Sequence, residues 1–124
     1  MATFTNQATL SYNGNTTTSN ITTGELLEVL SAKKTALQYT YTANDNVTYI
    51  ISIINSGTMA FTGLTVTDDL GGITAGENTR YPLTYVPGTI RYYVNGALQA
   101  APKVTAGPPM EISGISIPAG GNAT

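Results

Sequence analysis

The chain has 124 residues, a formal net charge of −2 and only 10% charged residues, with no histidine, cysteine or tryptophan. That length allows one sandwich-sized core, and five basic residues are too few for a nucleic-acid footprint, which needs clustered Lys and Arg to displace counterions. Without His and Cys the commonest general base, the thiolate nucleophile, disulfides and nearly every zinc or copper site are gone, so no enzyme and no cofactor are expected.

Phe4, Ala8, Leu10 and Tyr12 alternate along one face of a strand expected from Thr3 to Tyr12, with Asn6 as the one polar interruption. Asn13-Gly14 is a turn signal, because both residues tolerate positive φ. From Asn15 to Gly24 the only apolar side chain is Ile21, so this stretch reads as a linker or an edge strand. Residues 1–24 therefore form an arm, and residues 25–124 the domain proper. Met1 to Thr5 has neither a basic start nor an apolar run, and no stretch approaches membrane-spanning length, so no membrane partner is expected. The start reads as a segment excised behind an added methionine, or as a native start deployed without the secretory route, for example onto a spore surface.

Glu25 to Gln38, with the adjacent Lys33 and Lys34, suits a strand better than a helix, and Tyr39-Thr40-Tyr41 alternates before a turn at Ala43 to Asn46. Val47, Tyr49, Ile51 and Ile53 then alternate with Thr48, Ile50, Ser52 and Ile54, and β-branched residues fill most of the run. Asn55-Ser56-Gly57 ends that strand. Leu64 and Val66 alternate with Thr65 and Thr67 up to Asp68-Asp69, and Leu70 to Asn78 is Gly-rich loop. Tyr81, Leu83 and Tyr85 predict another strand, Pro87-Gly88 a turn, and Ile90, Tyr92 and Val94 a further strand. Asn95-Gly96 is the strongest hairpin signal in the chain, a type I′ turn. Lys103-Val104 and Ile112 to Ile117 complete an all-β series.

The order Val47-Thr48-Tyr49, Asn55-Ser56-Gly57-Thr58, Leu64 to Asp68, Leu83 to Ile90 and Ile117 to Gly121 resembles the bacterial surface-repeat family known as domain of unknown function eleven, over roughly Ser31 to Thr124. The resemblance implies an immunoglobulin-like β-sandwich that does structural work in walls, stalks and filaments outside the cell. It supplies no catalytic residues. A complete module would continue from Gly120 to Thr124 into a long final strand, so the expected sandwich lacks its last strand and is completed by strand addition. The candidate donor is the strand carrying Phe4, Ala8, Leu10 and Tyr12, supplied by the same chain, by another copy or by a neighbouring repeat domain.

Candidate chemistry is sparse. Lys33 or Lys34 with Asp68 or Asp69 could form an isopeptide crosslink, in which a desolvated lysine attacks an Asn or Asp activated by an acid; solvated strand ends explain these charges more simply. Asp45, Asp68, Asp69 and Glu77 could offer oxygens to calcium, but without loop-motif spacing they read as turn formers, and no metal site is assigned. Eight tyrosines could stack on sugar, yet their alternation favours packing. Four Asn-X-Thr matches, at Asn15, Asn20, Asn46 and Asn122, are expected by chance in so Thr-rich a chain. The expected function is self-assembly in a cell-surface, spore-appendage or filament protein. The alternative is an extracellular carbohydrate- or ligand-binding module of a larger repeat protein.

Overall fold

The computed structural model describes residues 2–124, and these are all strand, turn and loop, with no helix among them. The fold is all-β and sandwich-like.

The N-terminal segment is a long two-stranded ribbon. β1 (Ala2–Asn6) pairs with β4 (Thr22–Leu26), and β2 (Thr9–Tyr12) with β3 (Asn15–Thr18), both antiparallel. Asn13 and Gly14 turn the chain at φ of 46° and 76°, the backbone that the Asn-Gly signal predicts. Asn15 to Gly24 thus forms the return side of the ribbon, since ladder pairing satisfies its backbone without a core. Between the two halves, Gln7-Ala8 faces Ser19-Asn20-Ile21, and this extra residue is absorbed by side chains. Gln7 Nε2 donates to Ser19 O at 2.9 Å, and Ala8 N donates to Ser19 Oγ at 2.9 Å.

β5 (Leu30–Ala36) and β6 (Tyr49–Asn55) pair antiparallel in full register, from Leu30 with Asn55 to Ala36 with Tyr49. They belong to a five-stranded sheet ordered β11-β10-β14-β6-β5, whose other members are β10 (Tyr93–Val94), β11 (Ala97–Leu98) and β14 (Asn122–Ala123). The second sheet, ordered β12-β13-β7, contains β7 (Phe61–Asp68), β12 (Lys103–Thr105) and β13 (Met110–Ile117). The two neighbouring apolar strands of the sequence, β6 and β7, therefore lie in opposite sheets. Asn95 and Gly96, at φ of 48° and 81°, make the expected two-residue hairpin between β10 and β11.

Three stretches differ from the sequence expectation. The Gly-rich loop contains a small hairpin, β8 (Ile73–Ala75) with β9 (Asn78–Arg80), closed over Gly76-Glu77. Tyr39-Thr40-Tyr41 is not a strand; Tyr39 is fully exposed, and Tyr41 Oη donates to Gln38 O. Residues 81–92 keep a strand's alternation in burial, with Leu83, Tyr85, Ile90 and Tyr92 half-buried, yet stand outside any ladder.

The core is displaced toward one end. Ile112, Ile115 and Ile117 of β13 and Ala123 of β14 are buried, with Leu30, Ile53, Leu64 and Val66 packed against them. Asn55 is the buried polar residue and is fully enclosed. The total accessible surface is 9364 Å² for 12.9 kDa, whereas a compact monomer of that mass exposes about 6,300 Å².

Candidate functional site

A groove of about 720 Å³ lies between β6 and residues 83–93. Ile51 and Tyr49 of β6 form one wall, Leu83, Tyr85 and Ile90 the other, and Val66, Leu70 and Met110 line it from the second sheet. Ala123 and Thr124 close one end, so the groove continues the line of β14.

Hydrogen bonding makes both walls open edges. Asn55 N donates to Gly121 O at 2.9 Å, and the register runs on through Ile53 with Ala123. Ladder bonds alternate sides along a strand, so the odd-numbered residues of β6 face β14 and the even-numbered ones face β5. Beyond Ala123 the backbone N–H and C=O of Ile51 and Tyr49 thus point into the groove. Opposite, Tyr93 and Thr124 exchange both backbone bonds, at 2.8 and 2.9 Å, and the next residue aimed at the groove is Arg91. The gap between Ile51 and Arg91 is therefore bordered on both sides by backbone groups that point into it.

Asn55 fixes the closed end. Its Nδ2 donates to Met59 O at 2.8 Å and to Pro118 O at 3.0 Å, while its Oδ1 accepts from Gly57 N at 3.0 Å. One side chain thereby ties the turn after β6 to the Pro118 corner that feeds β14. In the sequence Asn55 reads as part of the Asn55-Ser56-Gly57 turn, and nothing there marks it as the enclosed side chain of the fold.

Of the charged candidates, the structure brings Lys34 and Asp68 together and leaves Lys33 and Asp69 apart from them. Lys34 Nζ donates to Asp68 Oδ2 at 2.5 Å and lies 4.1 Å from the centre of the Tyr49 ring, linking β5 to β7 across the two sheets. The lysine side chain is 40% exposed and the aspartate 14%. Burial pushes the Asp68 carboxyl up, but the Lys34 hydrogen bond, the Leu70 N–H and the Lys34 charge outweigh it and hold the group below its ordinary value. Asp68 and Tyr49 both line the groove. Lys33 neighbours Lys34 in the strand and so stands on the opposite face.

The remaining acids act on their own turns. Asp68 Oδ1 accepts from Leu70 N, Asp69 Oδ1 from Gly71 N, and Asp45 Oδ2 from Thr42 N, at 2.9, 3.0 and 2.8 Å. The Thr42 N–H, backbone bond first, holds the Asp45 carboxyl below its ordinary value. Among the described residues no three acidic side chains converge as a metal site would require. Tyr92 packs its ring toward the core, and its hydroxyl donates to Ser116 O and accepts from Ser116 N, both at 2.9 Å.

On the ribbon, Phe4, Leu10 and Tyr12 are all more than half exposed. Phe4 lies over its cross-strand partner Gly24, where a Cβ would come within 2.3 Å of the ring. The ribbon joins the sandwich at Leu30, which pairs with Asn55, whereas the groove opens toward Tyr49 at the other end of β6. The point where the ribbon joins the sandwich and the groove therefore lie toward opposite ends of β6. Comparison with protein-family models, with curated proteins and with solved structures finds no match for this chain.

Proposed function

We propose that this chain is a non-enzymatic structural module of an extracellular or spore-surface assembly, and that copies join by β-strand addition. The observation that carries this reading is the groove itself, a largely apolar channel in line with β14, into which the backbone of Tyr49 and Ile51 points from one wall and that of Arg91 from the other. Residues 81–92 have the side-chain pattern of strands without ladder partners, as expected of walls that pair with a strand from elsewhere. The exposed area supports it as well. It exceeds that of a compact monomer by about 3,000 Å², against about 800 Å² buried per partner in an ordinary stable interface.

The occupant is a strand of a second copy, supplied by the Phe4–Tyr12 side of its ribbon once that side leaves β3 and β4. Because the root of the ribbon and the groove lie toward opposite ends of β6, such a contact is head-to-tail and does not close on itself, so it propagates as a fibre. The low charge of the surface, and the resemblance to a surface-repeat family, agree with this reading. A second reading places a sugar in the same groove, favoured by Tyr49 and Tyr85 on its walls and by a volume typical of small-ligand pockets.

Negative-stain microscopy beside the mass in solution tests the proposal. Filaments or large oligomers of the full chain are expected, and removal of Met1 to Tyr12 leaves a monomer. A deletion variant that still polymerises, or a full chain that stays monomeric at high concentration, overturns the assembly reading.

A further inference from the structure

We propose that the free edge of β5 pairs with the same edge of a second copy of this chain, in an antiparallel two-fold contact centred on Ser31. The contact does not use the groove, so it stands or falls independently of strand addition there.

β5 ends its sheet, with β6 on one side and, among the described residues, no strand on the other. Leu37 N donates to Thr48 O at 3.1 Å and Ser56 N donates to Val29 O at 2.8 Å, so the odd-numbered residues of this segment face β6 with their backbone. The N–H and C=O groups of Leu30, Ala32, Lys34 and Ala36 therefore point outward, along a strand that is exposed from Ser31 to Ala36. Such an edge is a template for another strand, and adjacent lysines are a common guard against unwanted pairing.

Charge selects both the partner and the register. Pairing through the outward groups opposes even-numbered residues to even-numbered ones. Symmetric registers centred on Lys33 or Lys34 set like charges directly opposite, which is destabilising, and those centred on Leu30 or Ala32 pair no charges. Centring on Val29 opposes Glu25 to Lys33, but Glu25 lies in the separate ladder of the ribbon. Centring on Ser31 sets Glu28 against Lys34 of the second copy twice over, Leu30 against its Ala32, and Lys33 against its Val29. Lys34 gives one of its three donors to Asp68 and stays 40% exposed, so a second carboxylate finds it available. Leu26 and Leu27 precede the strand and Leu37 follows it, all more than half exposed. Antiparallel pairing brings the leucines at the start of one copy's strand beside the leucine at the end of the other's. The segment is thus self-complementary, acidic at its start and basic toward its end, and its lysines exclude the neighbouring registers.

The chain has no cysteine, so single cysteines introduced into the full chain read the register. On the two-fold axis, Ser31→Cys faces its own copy with Cβ atoms about 4.5–5.5 Å apart, within a small adjustment of disulfide geometry. Air oxidation should give a species of twice the 12.9 kDa chain mass on a non-reducing gel, and reduction should return it to the single mass. Lys33→Cys, four residues and about 13 Å out of line with its own copy, should stay at the single mass. Glu28→Lys added to Ser31→Cys should remove the crosslink, because it opposes two pairs of like charges; Glu28 is exposed, so the fold is spared. Equal crosslinking of Ser31→Cys and Lys33→Cys, as random collision gives, overturns the contact, and so does no crosslinking of Ser31→Cys. A crosslink that survives Glu28→Lys overturns the pairing of Glu28 with Lys34 and the register built on it.

Discussion

Replacing Asn55 with alanine should cost about 2–4 kcal/mol. The side chain is fully enclosed and makes three hydrogen bonds, to Met59 O, Pro118 O and from Gly57 N. Each contributes about 0.5–1.5 kcal/mol net, and truncation leaves Gly57 N without a partner in a site that alanine does not fill, while Pro118 O keeps its bond from Gly121 N. A chain of this size has about 6–19 kcal/mol in all, at about 0.05–0.15 kcal/mol per residue, so the loss is a large share of the total. Urea unfolding followed by circular dichroism measures it: with a slope near 1.5 kcal/mol per molar, the midpoint should fall by about 1.3–2.7 M at unchanged slope. Asn55→Asp should be worse than Asn55→Ala at neutral pH, because it sets a buried carboxylate against the carbonyls of Met59 and Pro118. That extra penalty should shrink in acid, since a carboxyl destabilised in its charged form has a raised folded-state pKa and is relieved by protonation. An alanine variant within about 0.5 kcal/mol of the parent would refute the clamp.

Two further outcomes follow from local geometry. Asp68 is held below its ordinary value of 3.8, so its ion pair adds stability that is present above about pH 4 and is lost as pH falls through the lower folded value. With Lys34 40% exposed the contribution is at most about 1 kcal/mol. The stability gap between the parent and Asp68→Asn should therefore narrow from pH 6 to pH 3, and a gap independent of pH over that range contradicts the pairing. Gly107→Ala and Gly88→Ala form a matched pair, since both glycines have φ of +76° but a Cβ at Gly107 meets the Pro109 carbonyl at 2.1 Å while one at Gly88 meets nothing within 4 Å. Gly88→Ala should cost only the left-handed backbone penalty, about 1–2 kcal/mol, and Gly107→Ala distinctly more. Equal midpoints in thermal melts would show that the Gly107 contact relaxes freely.

What was legible in the sequence was local. Asn13-Gly14 and Asn95-Gly96 both adopt the positive-φ turns that their residue types allow, because a two-residue hairpin depends on little beyond its own backbone. The runs Tyr49 to Ile53 and Leu64 to Val66 are both strands; in the second, half-buried Leu64 and Val66 alternate with exposed Thr65 and Thr67, while the first is held by its ladder with β5 over its whole length. Pairing is not local, and there the reading ran out. Nothing in Asn15 to Gly24 says that it returns along β1 and β2, and nothing in Asn55 says that it reaches across to Pro118. The candidate site was half legible: the sequence singled out both lysines and both aspartates, but only strand alternation with the correct register selects Lys34 over Lys33 and carries it to Asp68.

The most informative disagreement is at residues 81–92. Leu83 and Tyr85, and then Ile90 and Tyr92 after the Pro87-Gly88 turn, are half-buried between exposed neighbours, yet no ladder forms. Alternation and hydrogen bonding have separate causes. The first needs only an apolar layer on one side, which Val66, Leu70 and Met110 supply. The second needs a neighbouring backbone within about 4.8 Å in the plane of the sheet. A segment with the first and without the second has a strand's side-chain pattern and an open backbone edge, and that edge faces the groove in line with β14. The ribbon presents the complementary condition, an apolar face on a strand whose own partners, β3 and β4, are too polar to cover it. Under the proposed strand addition, moving that strand from an exposed ribbon into the groove would exchange one ladder for two and bury the apolar face, which is the free-energy gain the proposal requires.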